Sequence, residues 1–437
     1  MGHVVNPDRE YRLLQQRLDR QLTGAPDSPV FMKILRMLFS PEEAQLARQI
    51  PSQPITLETL SRRVNIPVDE LGDRITDMAR RGLVVDMEYG GRRRVFLAPV
   101  VIGFFEFTFM RTRDDLPMAE LAHLFDQYMR QDDRFQRAVF TKQTQIGRSL
   151  VHEEALPQGD HTEILDWERA SYLVRSASAV AVSLCACRHK ASHLGKACDK
   201  PMEVCLSLNY GATTLVRNGL ARPLSTDDGM RLLEQCKRLG LAQTGDNVQR
   251  LPTYICNCCG CCCGMMQAIR EFNIRNAIVT SNWIMHVDPD RCKGCGQCVK
   301  ACPIEAIDLV DRTEGPVGAP RKRAVRDETI CLGCGVCHAA CKSGAISMRP
   351  RPQRVLTPET VFDRMVLMAI ERGKLAHLIF DDPGRLSYRA LGRILSVLEK
   401  SPPWRAAMAI APLKSAFLNT LVKQAKSKSR QAEAALE

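Results

Sequence analysis

The sequence lacks any apolar run long enough to cross a membrane, because its longest apolar stretches fall well short of the roughly 18–20 residues that a spanning helix needs. The first residues, MGHVVNPDRE, show neither an apolar segment nor a twin-arginine motif. No G-x-G-x-x-G turn precedes a predicted helix, and no P-loop is present. These absences predict a cytoplasmic protein without the common nucleotide-binding motifs.

Cysteine is the residue type that departs most from an ordinary composition. The chain has 437 residues, of which 45% are hydrophobic and 25% charged, so we expect about two to four folded domains. Its nineteen cysteines are odd in number and occur as CxC, CC and CCC groups, in which neighbouring thiols form disulfides only with strain. The sequence therefore predicts reduced thiols that bind metal.

The segment 28–100 has the pattern of a winged helix. Thr56 is a predicted N-cap for the helix LETLSRRV, and Pro67 is a predicted start for a second helix that ends before Gly82. Two β-type runs joined by a turn at Gly90-Gly91 complete a hairpin.

The predicted fold class is α+β with several domains. The N-terminal winged-helix-like domain, 28–100, precedes a helical region, 101–180. A helical, cysteine-rich region that binds Fe–S clusters, 181–283, comes before a bacterial-type dicluster ferredoxin domain, 284–348. A helical, basic region, 355–437, follows, and the net charge of +12 is concentrated towards this end of the chain.

Two cysteine runs within 284–348 have the C-x2-C-x2-C-x3-C spacing of bacterial ferredoxins, in which the fourth cysteine of each run binds the cluster of the other run. Glycines inside both runs let the backbone approach a cluster and point its amides at the sulfides. The predicted ligands of the first [4Fe–4S] cluster are Cys292, Cys295, Cys298 and Cys341. Those of the second are Cys331, Cys334, Cys337 and Cys302.

A pair of zinc knuckles is the alternative interpretation of these runs. The completeness of both runs and Pro303 after the fourth cysteine favour the ferredoxin. Lys342 stands where the second run usually has proline, and the 28 residues between Cys302 and Cys331 exceed the spacing of the smallest ferredoxins. Neither feature removes a ligand.

Ten further cysteines form a dense cysteine field between residues 185 and 263. Two clusters would use about eight of them, so we expect one or two additional Fe–S clusters, with zinc as the second candidate. We expect nearby cations to offset the thiolate charge, namely Arg188, Lys190, Lys196 and Lys200. The predicted metal ligands of the field are Cys185, Cys187, Cys198, Cys205, Cys256, Cys258, Cys259, Cys261, Cys262 and Cys263.

Three other residues near the field have metal-binding side chains. Cys236 stands alone in the predicted helix RLLEQCKRLG, where we expect a small buried hydrophobe. His189 and His193 are candidate ligands, but exposed positions on a helix are the simpler expectation.

Four segments together resemble a group of large bacterial proteins with a 4Fe-4S dicluster domain. They are CACRHKASHLGKACDKPMEVCLSL, ICNCCGCCCG, the ferredoxin runs and IERGKLAHLIFDDPGRLSYRALGRIL, and the resemblance spans roughly residues 20–425. It implies Fe–S cofactors and electron transfer but no substrate. The tripeptide CCG, which occurs twice, is also similar to the cysteine-rich domains of heterodisulfide-reductase-like proteins, whose wider spacing is absent here.

These patterns favour an electron-transfer protein or subunit that passes single electrons between a low-potential donor and a reductase, both unidentified partner proteins. Whether the chain is itself an enzyme stays open, since a reductase with its site at 185–263 is one alternative. A redox-sensing winged-helix regulator is another. DNA binding is disfavoured, because the recognition-helix candidate carries Asp69, Glu70, Asp73 and Asp77, which would face phosphates.

The C-terminal end combines an apolar stripe with basic residues. Leu413, Phe417 and Leu421 recur at helical spacing. Lysines lie beside or beyond them, at Lys414, Lys423, Lys426 and Lys428. Such a segment either packs on the protein's own core or docks an acidic redox partner or an anionic membrane surface.

Overall fold

A computed structural model of the chain describes residues 7–156, 165–312, 320–381 and 386–401. The helices are α1 (Pro7–Asp19), α2 (Pro29–Leu38), α3 (Pro41–Ala47), α4 (Leu57–Val64), α5 (Val68–Arg80), α6 (Phe105–Phe109), α7 (Met118–Arg130), α8 (Arg134–Phe140), α9 (Ala170–Arg175), α10 (Ala186–His193), α11 (Asn209–Arg217), α12 (Thr226–Arg238), α13 (Gly264–Phe272), α14 (Gln297–Ala301), α15 (Val336–Ala340), α16 (Val361–Arg372), α17 (Leu375–Ile379) and α18 (Leu386–Lys400). The strands are β1 (Ile55–Thr56), β2 (Val84–Tyr89), β3 (Arg92–Leu97), β4 (Gly147–Leu150), β5 (Val180–Leu184), β6 (Glu203–Leu208), β7 (Arg222–Leu224), β8 (Ala242–Asp246), β9 (Tyr254–Cys258), β10 (Trp283–Val287), β11 (Ile307–Asp311), β12 (Lys322–Arg326) and β13 (Ile346–Pro350). Among these described helices, none is both long and apolar enough to cross a bilayer.

Local sequence signals explain the N-terminal helices. The Ser28 side chain accepts a hydrogen bond from a first-turn backbone N–H of α2, and Pro29 fits that turn because its φ is already helical. Thr56 caps α4 in the same way, and Asn65 ends this helix in the left-handed conformation. The cap at Thr56 and the start of α5 after Pro67 are both as predicted.

A three-stranded antiparallel sheet completes the N-terminal module. Its order is β1-β3-β2, and the turn at Gly90-Gly91 joins β2 to β3 as predicted. The apolar faces of α2, α4 and α5 share one core with α6, α7 and α8. Aromatic rings connect the N-terminal module to the helices that follow it, since Phe31 of α2 stacks on Tyr128 of α7 with ring centroids 4.7 Å apart.

The cysteine-rich middle region is not the helical region that we predicted. It is built on a six-stranded antiparallel sheet of order β4-β8-β9-β6-β5-β7, which also takes β4 from the region predicted as helical, 101–180. All five residues of β8 are buried, although the sequence AQTGD is mostly polar. With both faces covered, the strands show no alternation of apolar and polar residues, so the pattern that reveals a strand is lost.

The region 284–348 has an internal pseudo-twofold arrangement. Each half contains a cysteine loop followed by a short helix, α14 or α15, and two-stranded antiparallel pairs, β10-β13 and β11-β12, flank the helices. Gly294 and Gly333 have positive φ, and a Cβ at either position would overlap a backbone carbonyl, at 2.3 Å from Lys322 O and 2.0 Å from Trp283 O. Only glycine allows the two cysteine loops to pack this closely on Lys322 and on Trp283.

The described part of the region 355–437 is helical, as predicted, through α16, α17 and α18. α16 is tied to the six-stranded sheet by an ion pair between Arg364 and the fully buried Asp246 of β8. Asp246 also accepts hydrogen bonds from the backbone and hydroxyl of Thr253, at 3.1 Å and 2.7 Å. The apolar stripe with Leu413, Phe417 and Leu421 lies outside the described residues.

Replacing Asp246 with alanine should destabilise the fold by about 3–5 kcal/mol, because the Arg364 guanidinium would stay buried without its carboxylate. Anaerobic urea unfolding measures this loss. Asp228→Ala is the control, because that carboxylate is exposed in an i,i+3 pair with Arg231, and should cost less than about 1 kcal/mol. Adding Arg364→Met to Asp246→Ala should recover part of the loss, because the unpaired guanidinium is then removed while Thr253 still lacks its acceptor. Equal losses in the two aspartate variants would contradict this account.

Candidate metal centres

All four predicted first-cluster cysteines line one cavity. Cys292, Cys295 and Cys298 come from the loop before and the start of α14, and Cys341 comes from the end of α15 in the other half. Cys292 and Cys298 are buried, whereas Cys295 is exposed. The chain thus brings together a donor set of four thiols, which is the ligand set of a [4Fe–4S] cluster.

The predicted second-cluster cysteines also lie together, and none of the four is exposed. Cys331, Cys334 and Cys337 are buried, and the Cys302 sulfur accepts a hydrogen bond from the backbone N–H of Ala306 at 3.2 Å. Burial raises the pKa of Cys334 to about 12 and also raises the pKa of Cys337 and Cys302. Thiols in such a site are held as thiolates only when metal supplies the positive charge, so this set fits an iron cluster.

The surroundings of the second set explain its burial. The backbone N–H of His152 donates to the carbonyl of Cys334 at 2.9 Å, and a Cβ on Gly335 would lie 3.2 Å from the His152 Cβ. The hydroxyl of Ser281 donates to the carbonyl of Gly333 at 2.8 Å. The polypeptide before the ferredoxin region therefore covers the second set, while the first set stays open at Cys295.

The cysteine field separates into two groups in the structure. The first group, which we call the outer group, consists of Cys198, Cys259, Cys261 and Cys262. Its four sulfur atoms lie within 4.8 Å of one another. In the inner group, each thiol lies close enough to the next to shift its pKa; its members, in spatial order, are Cys187, Cys263, Cys258, Cys256 and Cys205. Cys185 adjoins both, since it lies near Cys187 and packs on the same apolar cluster as Cys259.

Arg188 is the cation that reaches the outer group. Its side chain is fully buried, and Nη2 donates to the sulfur of Cys259 at 3.5 Å. A hydrogen bond from Cys262 and the Arg188 guanidinium together lower the pKa of Cys259 to about 4. Lys190, which we predicted to serve the same purpose, instead pairs with Asp126 at 2.7 Å.

The inner group has a carboxylate neighbour that the sequence analysis missed. The Glu106 carboxyl lies near the thiols of Cys187 and Cys205, and burial raises the pKa of Glu106 to about 7. The Glu106 carboxylate accepts a hydrogen bond from Gly103 N at 3.1 Å. The residue before Gly103, Ile102, has a φ of +48°, which is rare for a β-branched residue. A single acid within the apolar run VVIGFFEFTF is the signal that points to it.

The remaining candidates have structural roles. Cys236 is fully buried on α12 beside Val204, as predicted. The exposed position expected for His189 is wrong, because α10 packs on α6 and His189 Nδ1 lies 2.8 Å from the carbonyl oxygen of Phe109. His193 is half-buried, and its ring packs at a tilt against that of His189.

The outer group touches the ferredoxin region directly. A Cβ on Gly260, between Cys259 and Cys261, would lie 2.1 Å from the carbonyl oxygen of Pro303. Arg270 fixes this contact, since it donates to the Gly260 carbonyl at 3.0 Å and pairs with Glu305. Pro303 follows Cys302, a member of the second ferredoxin set. We call this contact the Gly260–Pro303 seam.

Comparison with known proteins agrees with this geometry. Residues 291–345 match the family described as a 4Fe-4S dicluster domain, and the match includes both cysteine runs. A search of curated proteins found no match to the chain. The chain therefore contains a 4Fe-4S ferredoxin-type domain.

Proposed function

We propose that this protein relays single electrons from an outside donor, through the ferredoxin-type domain, to an additional Fe–S cluster in the cysteine field. The first ferredoxin cluster would be held by Cys292, Cys295, Cys298 and Cys341. The second would be held by Cys331, Cys334, Cys337 and Cys302. The inner group would hold the further cluster. When bound, these clusters supply one-electron oxidation and reduction.

The difference in exposure between the two ferredoxin sets gives the relay a direction. Cys295 is exposed, so an outside donor meets the first set. Cys298 of the first set and Cys337 of the second lie close enough for their charges to interact. The second set is covered by the chain around His152, so it is suited to exchange electrons with the protein interior.

The observation that carries the proposal is the Gly260–Pro303 seam. Electron tunnelling weakens steeply with the distance between centres, so two centres that exchange electrons need a short path of packed atoms. At the seam, the turn that follows Cys258 and carries Cys259 and Cys261 is in backbone contact with the residue after Cys302. Glycine at position 260 makes the contact possible, since any side chain would overlap Pro303 O.

The inner group is suited to a further cluster by its donors and its setting. Its five cysteines supply more thiols than one cluster needs, and they lie near Glu106, with Cys258 and Cys263 buried and the other three half-buried. Closely packed thiols that are largely shielded from water require metal to stay deprotonated. Exclusion of solvent also protects such a centre from side reactions.

The surface around Cys295 suits an acidic redox partner. Lys293 lines the cavity, Lys342 follows Cys341, and the backbone of Lys322 packs against Gly294. The side chains of all three lysines are exposed. A basic rim steers a negatively charged partner to the site without tight binding. The lysine-rich C-terminal end, outside the described residues, stays a proposed second docking segment for an acidic partner or an anionic membrane.

We assign the N-terminal module as a winged helix that serves as an internal support. Its hairpin packs on the cysteine-rich region: Asn218 donates to the carbonyl of Asp86 at 3.0 Å, and Arg217 pairs with Glu88 at 3.0 Å. Arg93 of the wing pairs with Asp86 at 2.9 Å, so its positive charge is neutralised within the N-terminal module. These contacts favour protein docking over DNA binding, which needs free cations for phosphates.

The ligand assignment predicts different effects of two serine substitutions. Cys295→Ser should perturb the first ferredoxin cluster and Cys334→Ser the second, each turning the spin-coupled EPR spectrum of the reduced protein into that of one cluster. The double variant should lose the coupled spectrum, along with much of the roughly eight iron atoms that the domain binds. A coupled spectrum that survives in the double variant would refute the assignment.

The seam predicts a specific kinetic effect of Gly260→Ala. The added methyl group displaces the turn from Pro303, so electron exchange between the domain and the field should slow after a pulse of photoreduction, followed by freeze-quench EPR. The matched control is Gly264→Ala in the second CCG tripeptide, where a Cβ meets nothing within 4 Å. Arg270→Met should slow exchange in the same direction, because it removes both contacts that hold the turn. Unchanged rates in both seam variants, with iron content retained, would refute the path.

The basic rim predicts a charge-dependent entry rate. In the Lys293→Glu, Lys342→Glu variant, reduction by the sulfur dioxide radical anion from dithionite should slow by on the order of tenfold at low ionic strength. Reduction by the methyl viologen radical cation should accelerate, and high salt should remove both effects. Lys33→Glu, at an exposed position on α2, is the control. Equal changes with both reagents would place the entry point elsewhere.

A further inference from the structure

The outer group is too compact for an iron cubane. A cubane binds each cysteine through a different iron at the corners of a cube, so its four cysteine sulfurs are spread widely. A single zinc ion binds sulfur at about 2.3 Å, which places four tetrahedral sulfurs about 3.8 Å apart. The outer group has Cys198 Sγ 3.6 Å from Cys259 Sγ and Cys261 Sγ 3.5 Å from Cys262 Sγ.

The ferredoxin sets give an internal comparison. Within the described parts of the chain, the outer group alone brings three or more metal-ligating side-chain atoms within 4.8 Å of one another. The two ferredoxin sets, whose sequence spacing is that of cubane ligands, are therefore more open. The chain thus holds sets of four thiols at two different sulfur–sulfur spacings. Only the compact set, the outer group, has the dimensions of a site for a single metal ion.

From this contrast we propose that Cys198, Cys259, Cys261 and Cys262 bind one tetrahedral zinc ion, separate from the Fe–S clusters. Zinc takes a closed set of four cysteines in structural sites. Four thiolates around a divalent ion leave a net charge of −2, and the buried Arg188 guanidinium, 3.5 Å from the Cys259 sulfur, offsets part of it.

The position of the site gives it a structural role. Cys198 belongs to the loop after α10, whereas the other three cysteines belong to the turn after β9, so one ion joins two distant segments of the chain. The ion would clamp the turn that carries Gly260 and so hold the seam with Pro303. Metal binding at such a site contributes directly to the stability of the segments that it joins. The zinc site does not depend on the proposed electron relay.

The test is metal analysis of the full-length chain, purified anaerobically without chelators. We expect about one zinc per chain, and zinc-edge X-ray absorption should show sulfur neighbours at about 2.3 Å and no second metal nearby. Cys261→Ser, at the exposed corner of the site, should lose the zinc while the EPR spectrum of the reduced ferredoxin clusters is retained. Cys236→Ala, a buried cysteine outside both groups, should keep it.

Cobalt is a second probe of the same site. Growth with Co²⁺ in place of zinc should give the visible absorption of a tetrahedral cobalt thiolate in the parent chain and in Cys236→Ala, but not in Cys261→Ser. The proposal is overturned if the parent chain contains no zinc, or if Cys261→Ser retains it. It is also overturned if Cys261→Ser instead loses about four iron atoms, because the outer group would then hold an Fe–S cluster.

Discussion

Buried sulfur atoms that are crowded together impose one condition on the whole molecule: their negative charge must be offset wherever they are deprotonated. A thiolate in an interior without water is costly, and burial raises the pKa of Cys334 to about 12. Among the described residues, Arg188 is a buried cation whose guanidinium contacts a sulfur. Metal must supply the rest of the positive charge.

This condition accounts for how the domains are assembled. The six-stranded sheet and the N-terminal module cover much of the cysteine field, with α10 packed on α6 and the hairpin β2-β3 packed on α11, while Cys261 stays exposed. The ferredoxin-type domain is turned so that its second set faces this interior and its first set faces solvent at Cys295. The Gly260–Pro303 seam is where the two cysteine-bearing parts meet.

The parts of the fold that can be predicted from the sequence are those specified by residues within or next to them along the chain. The ferredoxin runs are recognisable because six of the eight ligands lie in two short loops, and helix starts at Thr56 and Pro67 follow from residues beside them. The six-stranded sheet was missed because strands such as β8 are buried on both faces and carry polar residues. The division of the cysteine field could not be predicted, since Cys198 joins Cys259 only through the tertiary fold.

The central claim is that the chain binds more iron than its ferredoxin-type domain can hold, in a form that exchanges electrons with that domain. Mössbauer spectroscopy of the full-length, iron-57-labelled protein, before and after stepwise photoreduction, tests it most directly. The account predicts more than about eight iron atoms per chain, with a third set of cluster signals that changes on reduction together with those of the two cubanes. Iron that stops at about eight atoms per chain, all of it in two cubanes, would contradict the account.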